Sequence, residues 1–188
     1  MRNRKIVIAL AGNPNSGKST IFNNLTGAHQ HVGNYPGVTV EKKEGKLNFQ
    51  GYEINVVDLP GTYSLSAHSE DEIVARDFII KDKPDVIVDI VDSSNLERNL
   101  YLATQFMELE VPLVLAMNMS DMAEKKGQDV NYAKLSDLWG IAIVPTVGNK
   151  NIGTKELLET IIKVYEGKIK TKGVYIGSHV SKLKIVKA

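Results

Sequence analysis

Cysteine is absent from the 188 residues. That excludes disulfides and thiolate metal sites and suits a reducing compartment. Net charge is nearly absent as well. Lysine and arginine number 23 against 22 aspartates and glutamates, a formal +1, so no overall field draws the chain toward nucleic acid or acidic lipid. No apolar stretch approaches the roughly 20 residues that a membrane helix needs. The apolar run over residues 6–11, behind Arg2, Arg4 and Lys5, is too short for a signal core and leads directly into a glycine-rich loop, so it reads as a strand. Internal repeats and low-complexity segments are missing too. What is present is an ordinary globular composition, 43% hydrophobic and 24% charged, at a length that fits one domain with a sizeable core.

Apolar runs bounded by turn residues alternate with amphipathic segments, the pattern of an α/β protein with a mainly parallel sheet. Strands are expected over residues 5–10, 40–49, 52–58, 86–91, 113–117 and 141–144. Helices are expected over residues 17–26, 69–81, 95–109, 132–139 and 154–165. Only Gln50 and Gly51 separate the second and third strands, so these form a hairpin and one strand opposes the rest. The expected sheet is therefore mixed, six-stranded and mostly parallel. Residues 1–166 read as the domain and lysine-rich residues 167–188 as a basic tail.

Gly12, Asn13, Pro14, Asn15, Ser16, Gly17, Lys18 and Ser19 match the P-loop pattern, two glycines framing four residues and followed by Lys-Ser. The loop leaves a strand and opens a helix, the context this motif requires. Such a backbone turns successive amides toward phosphate oxygens, and the helix N-terminus adds unpaired donors and a positive dipole end. Lys18 is expected to reach the β- and γ-phosphates and the Ser19 hydroxyl to ligate Mg²⁺, with Thr20 beside it. The fold class is then a three-layer P-loop NTPase, a Ras-like G domain.

Asp58, Leu59, Pro60 and Gly61 end the second hairpin strand, where a Walker-B carboxylate belongs. Asp58 is expected to hold Mg²⁺ through water, and Gly61 to let a backbone amide approach the γ-phosphate. Residues 28–38 are polar, glycine-containing and aperiodic, and read as a mobile switch segment. At its exit Gly37, Val38, Thr39, Val40 and Glu41 are expected to face the nucleotide. Thr39, the one serine or threonine over residues 28–57, would give its hydroxyl to Mg²⁺ and its amide to the γ-phosphate. His29 and His31 read as exposed loop residues. Glu70, Asp71 and Glu72 read as the acidic start of a helix, Asp89 and Asp92 as loop hydrogen-bonding groups, and Trp139 as core.

Asn118, Met119, Ser120 and Asp121 follow the fifth expected strand as Asn-x-x-Asp. A buried Asp121 carboxylate would accept from the guanine N1–H and exocyclic amine together. Adenine has no donor at N1 and would leave that carboxylate unpaired. Val147, Gly148 and Asn149, after the last strand, are expected to turn backbone amides toward the guanine oxygen. An ATPase or nucleotide kinase does not fit Asn118 and Asp121.

The ordered set GNPNSGKST, HVGNYPGVTVE, DLPGTYSLSAHSEDE and NMSD resembles the cytosolic GTPase domain of FeoB-type ferrous iron transporters over residues 5–166. The resemblance implies binding of GTP and GDP with Mg²⁺. It also implies a helical spacer and a membrane domain on the same full-length protein, and a place at the cytoplasmic face of the cell membrane. Residues 167–188 would then begin the spacer. Homo-oligomers are compatible with this, and nucleic acid is not an expected partner. The other class sharing these motifs, a stand-alone GTPase acting on RNA or ribosomes, usually carries a broad basic face that is missing here.

Where Ras-like enzymes place a glutamine to orient water, this chain has Thr62, and no arginine lies in residues 28–38. Hydrolysis is then expected to be slow unless positive charge comes from elsewhere. The resemblance suggests K⁺ held partly by Asn15, which would join Lys18, Thr39 and Gly61 as the catalytic set.

Overall fold

A computed structural model describes residues 4–169. Seven strands form one sheet in the order β2-β3-β4-β1-β5-β6-β7. They are β1 (Arg4–Gly12), β2 (Gln30–Asn34), β3 (Glu41–Phe49), β4 (Tyr52–Asp58), β5 (Val86–Asp92), β6 (Leu113–Asn118) and β7 (Ala142–Pro145). Only β3 runs against the others, since it pairs antiparallel with both β2 and β4. The turn at Gln50 and Gly51 has positive φ at both residues (48° and 80°), the backbone whose twist matches a two-residue hairpin.

The strands are joined by α1 (Lys18–Thr26), α2 (Glu70–Asp77), α3 (Leu96–Glu108), α4 (Ser120–Lys125), α5 (Tyr132–Trp139) and α6 (Thr154–Tyr165). Strands β5 and β6 are almost wholly buried, so their sequences VIVDIVD and LVLAMN read as continuous apolar runs rather than alternations. One core lies under α2, α3 and α5, with Phe78, Leu100, Phe106, Leu135 and Trp139. The other lies under α1 and α6, with Ile21, Phe22, Leu157 and Ile161. This is the three-layer architecture expected. β1 is central, and the C-terminal ends of β1, β4, β5, β6 and β7 share one edge, where α/β sheets place their ligands.

The sheet has one strand more than expected. Residues 30–34 pair with β3 from Gln30↔Gly45 to Asn34↔Glu41, so much of the segment read as an aperiodic switch is regular structure. His31 belongs to that strand, opposite Glu44. The strand escapes a sequence reading because QHVGN buries no side chain; it is held by its ladder and by the Gln30 side-chain amide, which donates to Asn23 Oδ1, Thr26 Oγ1 and the Gly27 carbonyl. The helix expected over 69–81 is α2 followed by a π-helical turn, Phe78–Asp82, ending at Lys83 in the left-handed region just before Pro84. Helix α4 was not foreseen. Asp92 takes its expected role, accepting from the Ser94 amide at 2.8 Å, but Asp89 does not: it lies inside β5, 1% exposed. Of the tail, residues 170–188 lie outside the described residues, while Ile169 packs against the α1–α6 core. Among the described residues no helix is long and apolar enough to cross a membrane.

Candidate functional site

The loop between β1 and α1 is closed by the Ser16 amide donating to the Asn13 carbonyl at 3.2 Å. Gly17 has φ +87°, and a Cβ there would strike the Asn118 amide group, so glycine is required twice over. A Cβ at Gly12 would sit 2.7 Å from the Ile90 carbonyl oxygen. Asn15 also takes the left-handed region, at φ 66°, a conformation asparagine tolerates, and its side chain is exposed beside Pro14. Ser19 and Thr20 lie exposed in the first turn of α1. Asn13 Oδ1 and Ser16 Oγ are buried with no hydrogen-bond partner among the described residues. Unmade bonds at such depth are costly, so groups like these commonly mark a place where a ligand completes the structure.

Lys18 and Asp58 meet at this loop. Lys18 Nζ lies 2.5 Å from Asp58 Oδ1, with the side chains only 11% and 8% exposed. Burial pushes the Asp58 carboxyl above its ordinary value, while the Lys18 charge pulls it back. A carboxylate desolvated to this degree favours additional cationic partners, and its neighbouring ammonium favours anionic ones. Beyond Asp58 the chain stays against β1: Leu59 N–H donates to the Leu10 carbonyl at 2.9 Å and Thr62 N–H to the Gly12 carbonyl at 3.2 Å. Gly61 lies against Pro14, which puts the Leu59-Pro60-Gly61 stretch directly over the P-loop.

Tyr35 is a residue that sequence reasoning missed. Its hydroxyl donates to the Asp58 backbone carbonyl at 3.2 Å, and its amide donates to the Val40 carbonyl at 3.0 Å. Burial, followed by the nearby Asp58 charge, raises its phenol pKa. The turn it closes carries Gly37 at φ 79° and Val38, and leaves Thr39 exposed. An aromatic residue before Pro-Gly was the available signal, since a buried tyrosine anchors a loop by ring and hydroxyl together.

Asn118 ends β6 and ties the two halves of the site together. Its Nδ2 donates to the Ser16 carbonyl at 2.8 Å, and its Oδ1 accepts from the Gly148 amide at 2.9 Å. Met119 turns the chain in the left-handed region at φ 58°, and Ser120 Oγ donates to the Thr146 carbonyl at 3.2 Å. Asp121 is not buried as expected. Its side chain is 22% exposed and bound to Lys150 Nζ at 2.7 Å, which lowers its pKa. Asp121 lies in the first turn of α4, a six-residue helix that buries Ala123 and leaves Asp121 toward the surface. Two of the three amides assigned to the last loop are already committed, Val147 to Ile152 and Gly148 to Asn118. Asn24 from α1 holds the Gly148 carbonyl at 2.8 Å.

The acidic start of α2 is as expected, and more. Ser69 Oγ accepts from the Glu72 amide, and the Glu72 carboxylate accepts from Ser64 Oγ, Ser66 Oγ and the His68 amide. These bonds, the His68 amide foremost, lower the Glu72 pKa. They fold residues 64–69 onto the helix.

A family model described as ferrous iron transport protein B matches residues 6–161. The Fe(2+) transport protein A/Fe(2+) transporter FeoB fusion protein of Porphyromonas gingivalis is 51% identical over 166 residues, 88% of this chain and 20% of the relative. The chain thus spans about a fifth of the length of that curated relative. The crystal structure of the G domain of the T. maritima FeoB iron transporter is 44% identical with a TM-score of 0.81, covering 86% of this chain and 99% of that one. The cytosolic domain of the same transporter in GMPPNP form is 42% identical with a TM-score of 0.86, covering 94% and 70%.

Proposed function

The chain belongs to the ferrous iron transport protein B family as its N-terminal G domain, and on that premise we propose that it binds and hydrolyses GTP as the switch of a ferrous iron transporter. The single observation that carries the reading is the Lys18–Asp58 pair, buried beside a glycine-framed loop. One partner suits a terminal phosphate and the other suits Mg²⁺. The glycine cradle and the unpartnered Ser16 hydroxyl, which can donate, fit a nucleotide phosphate chain.

In this reading the P-loop amides and Lys18 hold the phosphates, and Ser19, Asp58 and Thr39 would hold Mg²⁺, which supplies charge neutralisation when bound. Gly61 presents its backbone to the γ-phosphate. Asn118 keeps the base pocket joined to the P-loop, and Asp121 accepts from guanine after releasing Lys150. The membrane portion of the full-length protein, reached through a helical spacer, would carry the iron across the cell membrane. The G domain would face the cytoplasm.

Displacement of a fluorescent GTP analogue tests the base reading. GTP should compete about 10- to 150-fold better than ATP, the weight of one hydrogen-bonded carboxylate. Asp121→Asn should move the preference to xanthine nucleotides. Equal competition by ATP in the wild type would overturn it. We further propose Asn15 as a ligand for K⁺, since Thr62 stands where the usual glutamine would and no arginine lies in residues 28–38. Turnover should then be faster in K⁺ than in Na⁺ for the wild type and equal in the two for Asn15→Ala; persistent K⁺ stimulation in the variant removes Asn15 from that role.

A further inference from the structure

Helix α3 grips both the P-loop and the segment that follows Gly61. Arg98, in its first turn, does so with two different groups. Its backbone carbonyl accepts from Asn13 Nδ2 at 3.3 Å. Its guanidinium lies 4.2 Å from the centroid of the Tyr63 ring, well inside cation–π range. Tyr63 is 41% exposed, a large ring left in solvent on one side and covered by a cation on the other. Two helical turns further on, Gln105 Oε1 accepts from the Leu65 amide at 2.8 Å. Positions 98 and 105 share one face of the helix. Residues 62–65 are therefore fastened in sequence: Thr62 to the Gly12 carbonyl, Tyr63 to Arg98, Leu65 to Gln105.

We propose that Arg98 is a positioning residue for GTP hydrolysis, holding the P-loop through its carbonyl and the Gly61–Tyr63 stretch through its guanidinium. The inference rests on the GTPase reading above. It addresses what the chain lacks, a glutamine at Thr62 that could place water by itself. Phosphoryl transfer depends on geometry and charge more than on covalent chemistry by the protein. Fixing Gly61 against the P-loop thus falls to whatever holds the residues after it. Arg98 does this through Asn13 and Tyr63, so its loss should lower kcat and leave nucleotide affinity alone.

The test uses the 188-residue chain. Arg98→Met and Tyr63→Leu should each lower kcat for GTP about two- to fivefold, the weight of an exposed cation–π contact, with KM unchanged. The double variant should lose no more than either single one, because both remove the same contact. Arg98→Lys and Tyr63→Phe keep the cation and the ring face and should restore most of the rate. Amide hydrogen exchange over residues 62–66 should quicken in both loss variants and not in the conservative ones. Unchanged kcat with unchanged exchange overturns the proposal, as do losses that multiply in the double variant or a change confined to KM. A wild type that binds no guanine nucleotide removes the functional reading itself, a distinct result from a working GTPase indifferent to Arg98.

Discussion

Asp89 sits in the middle of β5, flanked by Ala11 on β1 and Leu115 on β6, and its Oδ2 has no hydrogen-bond partner among the described residues. Desolvation raises its pKa to about 8. An unfolded aspartate titrates near about 4. Between those values the folded chain keeps a proton that the unfolded chain has released. Stability is therefore full below about pH 4, falls as pH rises, and the contribution is lost above about pH 8. Asp89→Asn removes the titration while keeping the shape. It should raise the melting temperature on the order of 5 °C at pH 8.5 and distinctly less at pH 5. Thermal denaturation at the two pH values checks this, and an equal gain at both would mean that Asp89 is not the titrating group. The same scale shows why the exposure of Asp121 was not legible in the sequence. Asn-x-x-Asp spacing says which residue can face a base, but not that Lys150, 29 positions away, occupies its carboxylate.

At the scale of elements, the β2–β3 pair is set by packing that no local pattern announces. Gly45 of β3 lies opposite Val56 on β4 and Gln30 on β2, and it faces Thr26 at the end of α1. A Cβ there would overlap Thr26 Cγ2 and approach the His29 carbonyl oxygen to 3.2 Å. Gly33, in the same hairpin, is different, because its Cβ would meet only His31 Nε2 at 3.9 Å. Gly45→Ala should cost about 1–3 kcal/mol, the range for overpacking a close contact. Gly33→Ala should be nearly neutral. Urea denaturation of the two variants distinguishes them, and equal midpoints would mean that α1 yields freely. Helix α2 teaches a similar lesson. Its acidic first turn was legible as dipole compensation. That Glu72 also gathers Ser64, Ser66 and His68 depends on how the preceding loop turns back.

For the whole molecule, the sequence alone determined the class of fold, the hairpin and the ordered motifs. Each rests on short-range rules: strand runs of buried aliphatics in β5 and β6, a two-residue turn at Gln50 and Gly51, and a glycine-framed loop between a strand and a helix. Tertiary structure alone decided which of these groups meet. It paired Lys18 with Asp58 across 40 positions and Asn118 with Ser16 across 102. It bound Tyr35 to the Asp58 carbonyl, and it set Arg98 over Tyr63. The physical reason is that a parallel sheet brings the C-terminal ends of distant strands to one edge. Residues meeting there are chosen by strand order, and strand order is a property of the packed core, which no window of sequence contains.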